Sequence, residues 1–165
     1  MFLWRFGEVS ETMKVFLGLG SNLGDRAYFL REAISALVGP SIKIMATSRI
    51  YETEPWGGID QPLFWNQVIE IETTLEPLDL LHVCQEIELR LGRERKVHWG
   101  SRTIDIDLLI YDNRVSETEE LRLPHPYLEE RAFVIAPLRE IAPKLILPSG
   151  RSINEVVGGG KVYPI

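Results

Sequence analysis

The chain has 165 residues, 45% hydrophobic and 25% charged, with 18 basic against 24 acidic side chains and a formal net charge of −6. This suits one ordinary globular domain with a real core, and the acidic balance excludes a general nucleic-acid binder, which needs a basic face. A single cysteine, Cys84, excludes an internal disulfide, and no apolar run approaches the roughly 18 residues of a membrane span.

The opening stretch MFLWRFGEVSET has one short apolar cluster and carries Glu8 and Glu11. It does not read as a signal peptide, so a cytoplasmic protein without membrane attachment is expected. Residues 1–13 are read as an N-terminal extension and 14–165 as a single domain. KVFLGLG (14–20) predicts a strand, and SNLGDR a tight turn with Asp25 capping the helix that follows. Its glycines fit neither G-x-G-x-x-G nor a P-loop. Leu30, Ala33, Ile34 and Leu37 then recur at helical spacing up to Gly39-Pro40. IKIMATSRIYET (42–53) predicts one strand, EPWGGIDQPLF a loop, and the alternating WNQVIEIETT (65–74) another strand. EPLDLLHVCQEIELRLG (76–92) predicts a second helix with Pro77 in its first turn, Gly92 at its end and Leu80, Leu81, Cys84, Ile87 and Leu91 on one side.

RLGRERKVHWGSR follows, with Arg90, Arg93, Arg95, Lys96 and Arg102 against Glu94 alone. A basic patch on an acidic protein is a local anion site. The strand leaving it, TIDIDLLIY, places Asp105 and Asp107 on one face, about 6.5–7 Å apart along the chain. The pair is expected on a central strand, on the open sheet face away from the helices. Strand, helix, strand, strand, helix, strand is the order of an α+β, ferredoxin-like βαββαβ core: a mainly antiparallel sheet with helices on one face. The proline-rich remainder reads as a C-terminal extension wrapped around that core.

Two carboxylates beside a cationic loop suit Mg²⁺, a hard ion that takes few protein ligands and fills its shell with water and phosphate. Two such ions could clamp a transferring phosphoryl group while arginines hold its oxygens. Taken alone, D-x-D is the solvated face of a strand; the adjoining arginines favour the ion. Trp56, Phe64 and Trp65 near Thr53 and Asn66 suit a flat heterocycle with a donor–acceptor edge, although Trp65 fits an ordinary core aromatic. His125, between two prolines, is expected in an exposed turn, and His82 on the surface or in the core of its helix. No histidine spacing suggests a zinc site.

LGSNLGDR, YETEPWG…DQPLFWNQV, QEIELRLGRER…WGSRTIDIDLLIY and LPHPYLEERAFVIAPLREIAP together resemble the 6-hydroxymethyl-7,8-dihydropterin pyrophosphokinase family, over residues 14–148. The resemblance implies a folate-pathway enzyme that moves pyrophosphate from ATP to the pterin hydroxymethyl and releases AMP, with two Mg²⁺ ions. It implies Asp105 and Asp107 as metal ligands, and Arg93, Arg95, Trp99 and Arg102 as catalytic, with Arg93 and Trp99 on a closing loop. Gln85, Glu88, Arg95, Lys96, Arg102 and His125 would bind ATP. Thr53, Glu54, Trp56, Phe64, Asn66, Trp99 and Phe133 would form the pterin pocket, the ring stacked between Phe64 and Phe133. The partners implied are these small molecules, with neither nucleic acid nor membrane, and a monomer is expected.

Three positions depart from the family pattern. The loop is one residue shorter, with His98 where an arginine is common; Ser101 replaces the proline of G-P-R; and Phe64 stands for a tyrosine. Two rival readings are weaker. A D-x-D sugar-nucleotide transferase needs a larger nucleotide-sugar domain. An RNA-recognition module needs exposed sheet aromatics and a basic surface.

Overall fold

The computed structural model describes residues 11–54, 61–93 and 102–165. In chain order the elements are β1 (Met13–Ser21), α1 (Arg26–Leu37), β2 (Ile42–Thr47), β3 (Tyr51–Thr53), β4 (Phe64–Thr73), α2 (Pro77–Arg90), β5 (Asp105–Tyr111), β6 (Ser116–Glu117), β7 (Arg122–Leu123), α3 (Ala132–Ile141), a 3₁₀ turn (Ile153–Glu155) and β8 (Val162–Pro164). The main sheet runs β5-β1-β4-β3-β8, with β2 also on β4, and its pairings are antiparallel. The expected α+β, ferredoxin-like core is the fold observed.

Helix α1 begins where expected, because the Asp25 carboxylate accepts a hydrogen bond from Tyr28 N at 3.0 Å. Its Leu30, Ala33 and Leu37 pack with Leu80, Cys84 and Ile87 of α2 on one sheet face, against Val15, Leu17, Ile69 and Ile71. Strand β1 is buried almost throughout because the other face is covered too. There Val134, Ile135 and Leu138 of α3 pack on Phe16, Val68, Leu109 and Ile110.

Three expectations need correction. The single strand over 42–53 is two strands, because buried Ser48 interrupts it: Val68 N donates to the Ser48 hydroxyl at 3.0 Å, and Ser48 N donates to Val68 O at 2.9 Å. The face away from α1 and α2 is not open along its length, since α3 from the extension covers much of it. Strand β5 is at the edge of the described sheet, not its centre. Glu88 and the segment after β7 cap that edge: Ile106 N donates to the Glu88 carboxylate at 3.1 Å, and His125 N to Leu109 O at 2.9 Å.

Candidate active site

Strand alternation sends Ile104, Ile106 and Leu108 into the helix-side core and Asp105, Asp107 and Leu109 to the opposite face. Opposite the carboxylates on β1 are glycines, Gly18 across from Asp107 and Gly20 across from Asp105. They floor a cavity with about 690 Å³ of empty space, its mouth included. A Cβ on Gly20 would lie 2.9 Å from Asn66 Oδ1, so only glycine leaves that side chain its place.

Asn66 on β4 donates to the Thr53 hydroxyl at 2.8 Å, and both are buried. Phe64 from β4 and Phe133 from α3 line the same cavity, as does Glu54. The predicted pterin residues Thr53, Glu54, Phe64, Asn66 and Phe133 therefore come together, in one space with Asp105, Asp107 and Arg102. Trp56, Arg95, Lys96 and Trp99, like His98 and Ser101, lie outside the described residues.

Arginines compensate the paired carboxylates. Arg93 Nη1 is 2.9 Å from Asp105 Oδ1, and Arg102 Nη1 is 3.0 Å from Asp105 Oδ2. Arg93 also pairs with Glu88, a residue only 4% exposed. Burial, then the Asp105 and Glu88 charges, pushes Asp107 up to about 8, against the pull of Arg131 and Arg102. Burial likewise pushes Glu88 up to about 7, with Arg93 opposing.

Gln85 and Glu88 on α2 line a shallow depression with Leu89 and Arg93. His125 meets the same strand β5 through its backbone. It is half-buried and not exposed as expected, because its turn folds back onto β5. Burial, then Arg131, lowers its pKa to about 4. His82 is exposed and lies 2.8 Å from Glu120, and Cys84 is buried in the core as expected. Trp65 is half-buried, with its Nε1 donating to Glu52 at 3.0 Å and the Arg26 guanidinium 4.3 Å from its ring centroid.

Two more residues belong to the site: Arg131, which LPHPYLEERAF brings with His125 and Phe133 although the sequence gives it no specific role, and Asn22, for which the sequence offers no reading. Arg131 lines the cavity, 4.6 Å from the Tyr127 ring centroid and 5.5 Å from that of Phe133, and its charge faces both aspartates. Asn22, 1% exposed, ties distant segments together. Its side-chain oxygen accepts from Arg102 N at 2.8 Å, and its amide donates to Gln61 Oε1 at 2.9 Å and Pro62 O at 3.0 Å. The first had a visible signal, a cation two residues before an aromatic in the stretch that also brings His125. The second had none, since its partners are 39 to 80 positions away.

This fold and sequence have counterparts among known proteins. The family model for 7,8-dihydro-6-hydroxymethylpterin-pyrophosphokinase (HPPK) matches residues 16–143. The chain belongs to this family. A 2-amino-4-hydroxy-6-hydroxymethyldihydropteridine pyrophosphokinase from Methylorubrum extorquens is 46% identical over 145 residues, covering 87% of this chain and 91% of that protein. The protein of that name from Bacillus subtilis is 46% identical over 131 residues, covering 79% and 78%. Among solved structures, wild-type Plasmodium falciparum HPPK-DHPS with pteroate superimposes with a TM-score of 0.68 at 18% identity, over 87% of this chain and 41% of that one. That likeness speaks for the fold. As an HPPK, the chain is an ATP-dependent diphosphotransferase of folate biosynthesis, with ATP as its co-substrate. No described helix is long and apolar enough to cross a membrane.

Proposed function

We propose that the cavity takes 6-hydroxymethyl-7,8-dihydropterin against Asn66 and Thr53, between Phe64 and Phe133, and that Asp105 and Asp107 hold two Mg²⁺ ions carrying ATP. One observation carries this reading: the two carboxylates open into the same cavity as the aromatic and amide wall. A flat, polar-edged ring is then brought to the phosphates without crossing solvent.

The residues fit the ions. Both carboxylates stand across from Gly18 and Gly20 on β1, which put no side chain of their own beside them. Among the described residues no group of three or more Asp, Glu, His or Cys side chains could hold a metal. A pair of hard oxygen donors leaves most of a Mg²⁺ shell to water and phosphate, as that ion prefers. Bound Mg²⁺ would supply charge neutralisation at the phosphates.

The remaining roles belong to this chain's own side chains. Asn66 and Thr53 orient the ring edge, and the two phenylalanines exclude water from its faces. Arg93 and Arg102, which hold Asp105 in the free protein, would be available to phosphate oxygens once Asp105 serves as a metal ligand. The pterin hydroxymethyl oxygen then attacks the β-phosphorus, the bond from that phosphorus to the bridging α,β-oxygen breaks, and AMP leaves. The hydroxyl proton passes to solvent. Arg95, Lys96 and Trp99 belong to the same reading as loop residues, Trp56 as a pocket residue, and Gln85, Glu88 and His125 as its nucleotide side. In this reading the protein acts in the cytoplasm, as a monomer.

Asp105→Asn and Asp107→Asn test the reading. Each removes an anionic ligand, and such ligands contribute several kcal/mol of transition-state stabilisation, so turnover should fall about a thousandfold or more while circular dichroism stays native. Near-normal rates in both variants at ordinary Mg²⁺ would sink the metal assignment.

A further inference from the structure

We propose that residues 157–165 form a positioning strap for the pterin side of the cavity, with Gly158 as its positioning residue. The inference rests on the cavity being the pterin site. The strap lies beyond residues 16–143, the range of the family match.

It touches both walls that hold pterin residues. At one end, β8 pairs with β3, with Val162 opposite Thr53, and Ile165 N donates to Ile50 O at 2.9 Å. At the other, Gly159 forms a parallel bridge across Arg131: Gly159 N donates to Glu130 O at 2.8 Å, and Ala132 N donates to Gly159 O at 3.0 Å. Ala132 opens α3, and the N-cap residue Arg131 makes no side-chain cap. The strap therefore supplies an acceptor to one of the first helical N–H groups, which have no partner within the helix. Arg131 and Phe133, which line the cavity with Val134 at the start of α3, flank Ala132. Arg139 secures the entry to the strap by donating to Val156 O and, at 3.3 Å, to Ile153 O.

Gly158 sets how close the strap can lie. It has φ +74°, and a Cβ there would fall 2.6 Å from Ala132 N and 2.7 Å from Arg131 C. Those atoms are backbone and cannot swing aside, so any side chain must lift the strap or push the start of α3. Gly160 is the built-in control. It also has positive φ, +95°, but a Cβ there meets nothing within 4 Å. Alanine at either position carries the conformational cost, and only at 158 does it add the collision.

The test is fluorescence titration of hydroxymethyl-dihydropterin into the full chain with Mg²⁺ and a non-hydrolysable ATP analogue, alongside analogue binding without pterin. Gly158→Ala should weaken pterin binding at least tenfold and raise its KM in step, with nucleotide affinity changed less than threefold. Gly160→Ala should change both by less than threefold. Should Gly158→Ala fail to fold, removal of residues 161–165, which unpairs β8 but keeps the Gly159 bridge, should still weaken pterin binding severalfold. The strap is overturned by wild-type pterin affinity in Gly158→Ala, by equal losses in both glycine variants, by equal losses of pterin and nucleotide binding, or, in the fallback, by a shortened chain that binds pterin normally. A wild-type chain that binds the nucleotide analogue but no pterin would overturn the cavity reading itself, and the strap with it.

Discussion

Asp105 and Asp107 carry the account, and they were plain in the sequence because alternation in a strand is a short-range rule. Their neutralisation was less plain. Arg93 and Arg102 were visible as a basic run, but not that both would lie on Asp105 and leave Asp107 in a more apolar setting. This arrangement makes a pH prediction with a definite sign. Asp107 is raised to about 8 and Glu88 to about 7, so the folded protein holds protons that the unfolded chain has already released. Stability of the ion-free protein must then fall as pH rises through these values. His125, lowered to about 4, acts oppositely, but chiefly between its folded value and the ordinary histidine value near 6.5. Among the described residues these carboxylates outweigh what remains of the His125 effect from pH 6.5 to 8, and the net loss should be about 2 kcal/mol. Thermal melts should show Tm falling over this window without Mg²⁺ and the Mg²⁺-induced rise growing with pH. Asp107→Asn should flatten both. A Tm that climbs from pH 6.5 to 8 without the ion would contradict the assignment.

At the scale of elements, the helices and most strands were legible because their periodicity and caps are local. Asp25, Pro77 and Gly92 mark ends that the structure keeps to within a few residues. The break at Ser48 was not legible, since its cause is a hydrogen bond to Val68 across the sheet. The edge position of β5 was missed for a related reason: apolar runs report burial, and Glu88 and the His125 segment bury an edge as effectively as a neighbouring strand would. Asn22 shows how elements are held in register at the site, joining the end of β1 to both Arg102 and the Gln61–Pro62 segment before β4. Asn22→Asp keeps the acceptor for Arg102 N and loses the two donors. The two partly exposed acceptors, Gln61 Oε1 and Pro62 O, would then face a carboxylate oxygen in place of a donor, so pterin affinity should weaken severalfold as the Pro62 side loosens. Equilibrium titration reads this directly, and an unchanged affinity would mean that the segment is placed by other contacts.

For the whole molecule, the sequence announced one βαββαβ core and the extension beyond it, but not what the extension does. Its α3 covers the second sheet face and brings Arg131 and Phe133 to the carboxylates. No periodicity could show this, because the information is in which face of the sheet remains vacant once α1 and α2 have packed. In the proposed reading the carboxylate end of this cavity takes the phosphates and the aromatic end the pterin, as diphosphoryl transfer to a flat alcohol requires. The most direct test is the nucleotide product formed with ATP, Mg²⁺ and hydroxymethyl-dihydropterin, separated chromatographically and counted against pterin consumed. Attack at the β-phosphorus predicts one AMP per pterin diphosphate and no ADP. Stoichiometric ADP, or AMP released without any pterin diphosphate, would contradict the account.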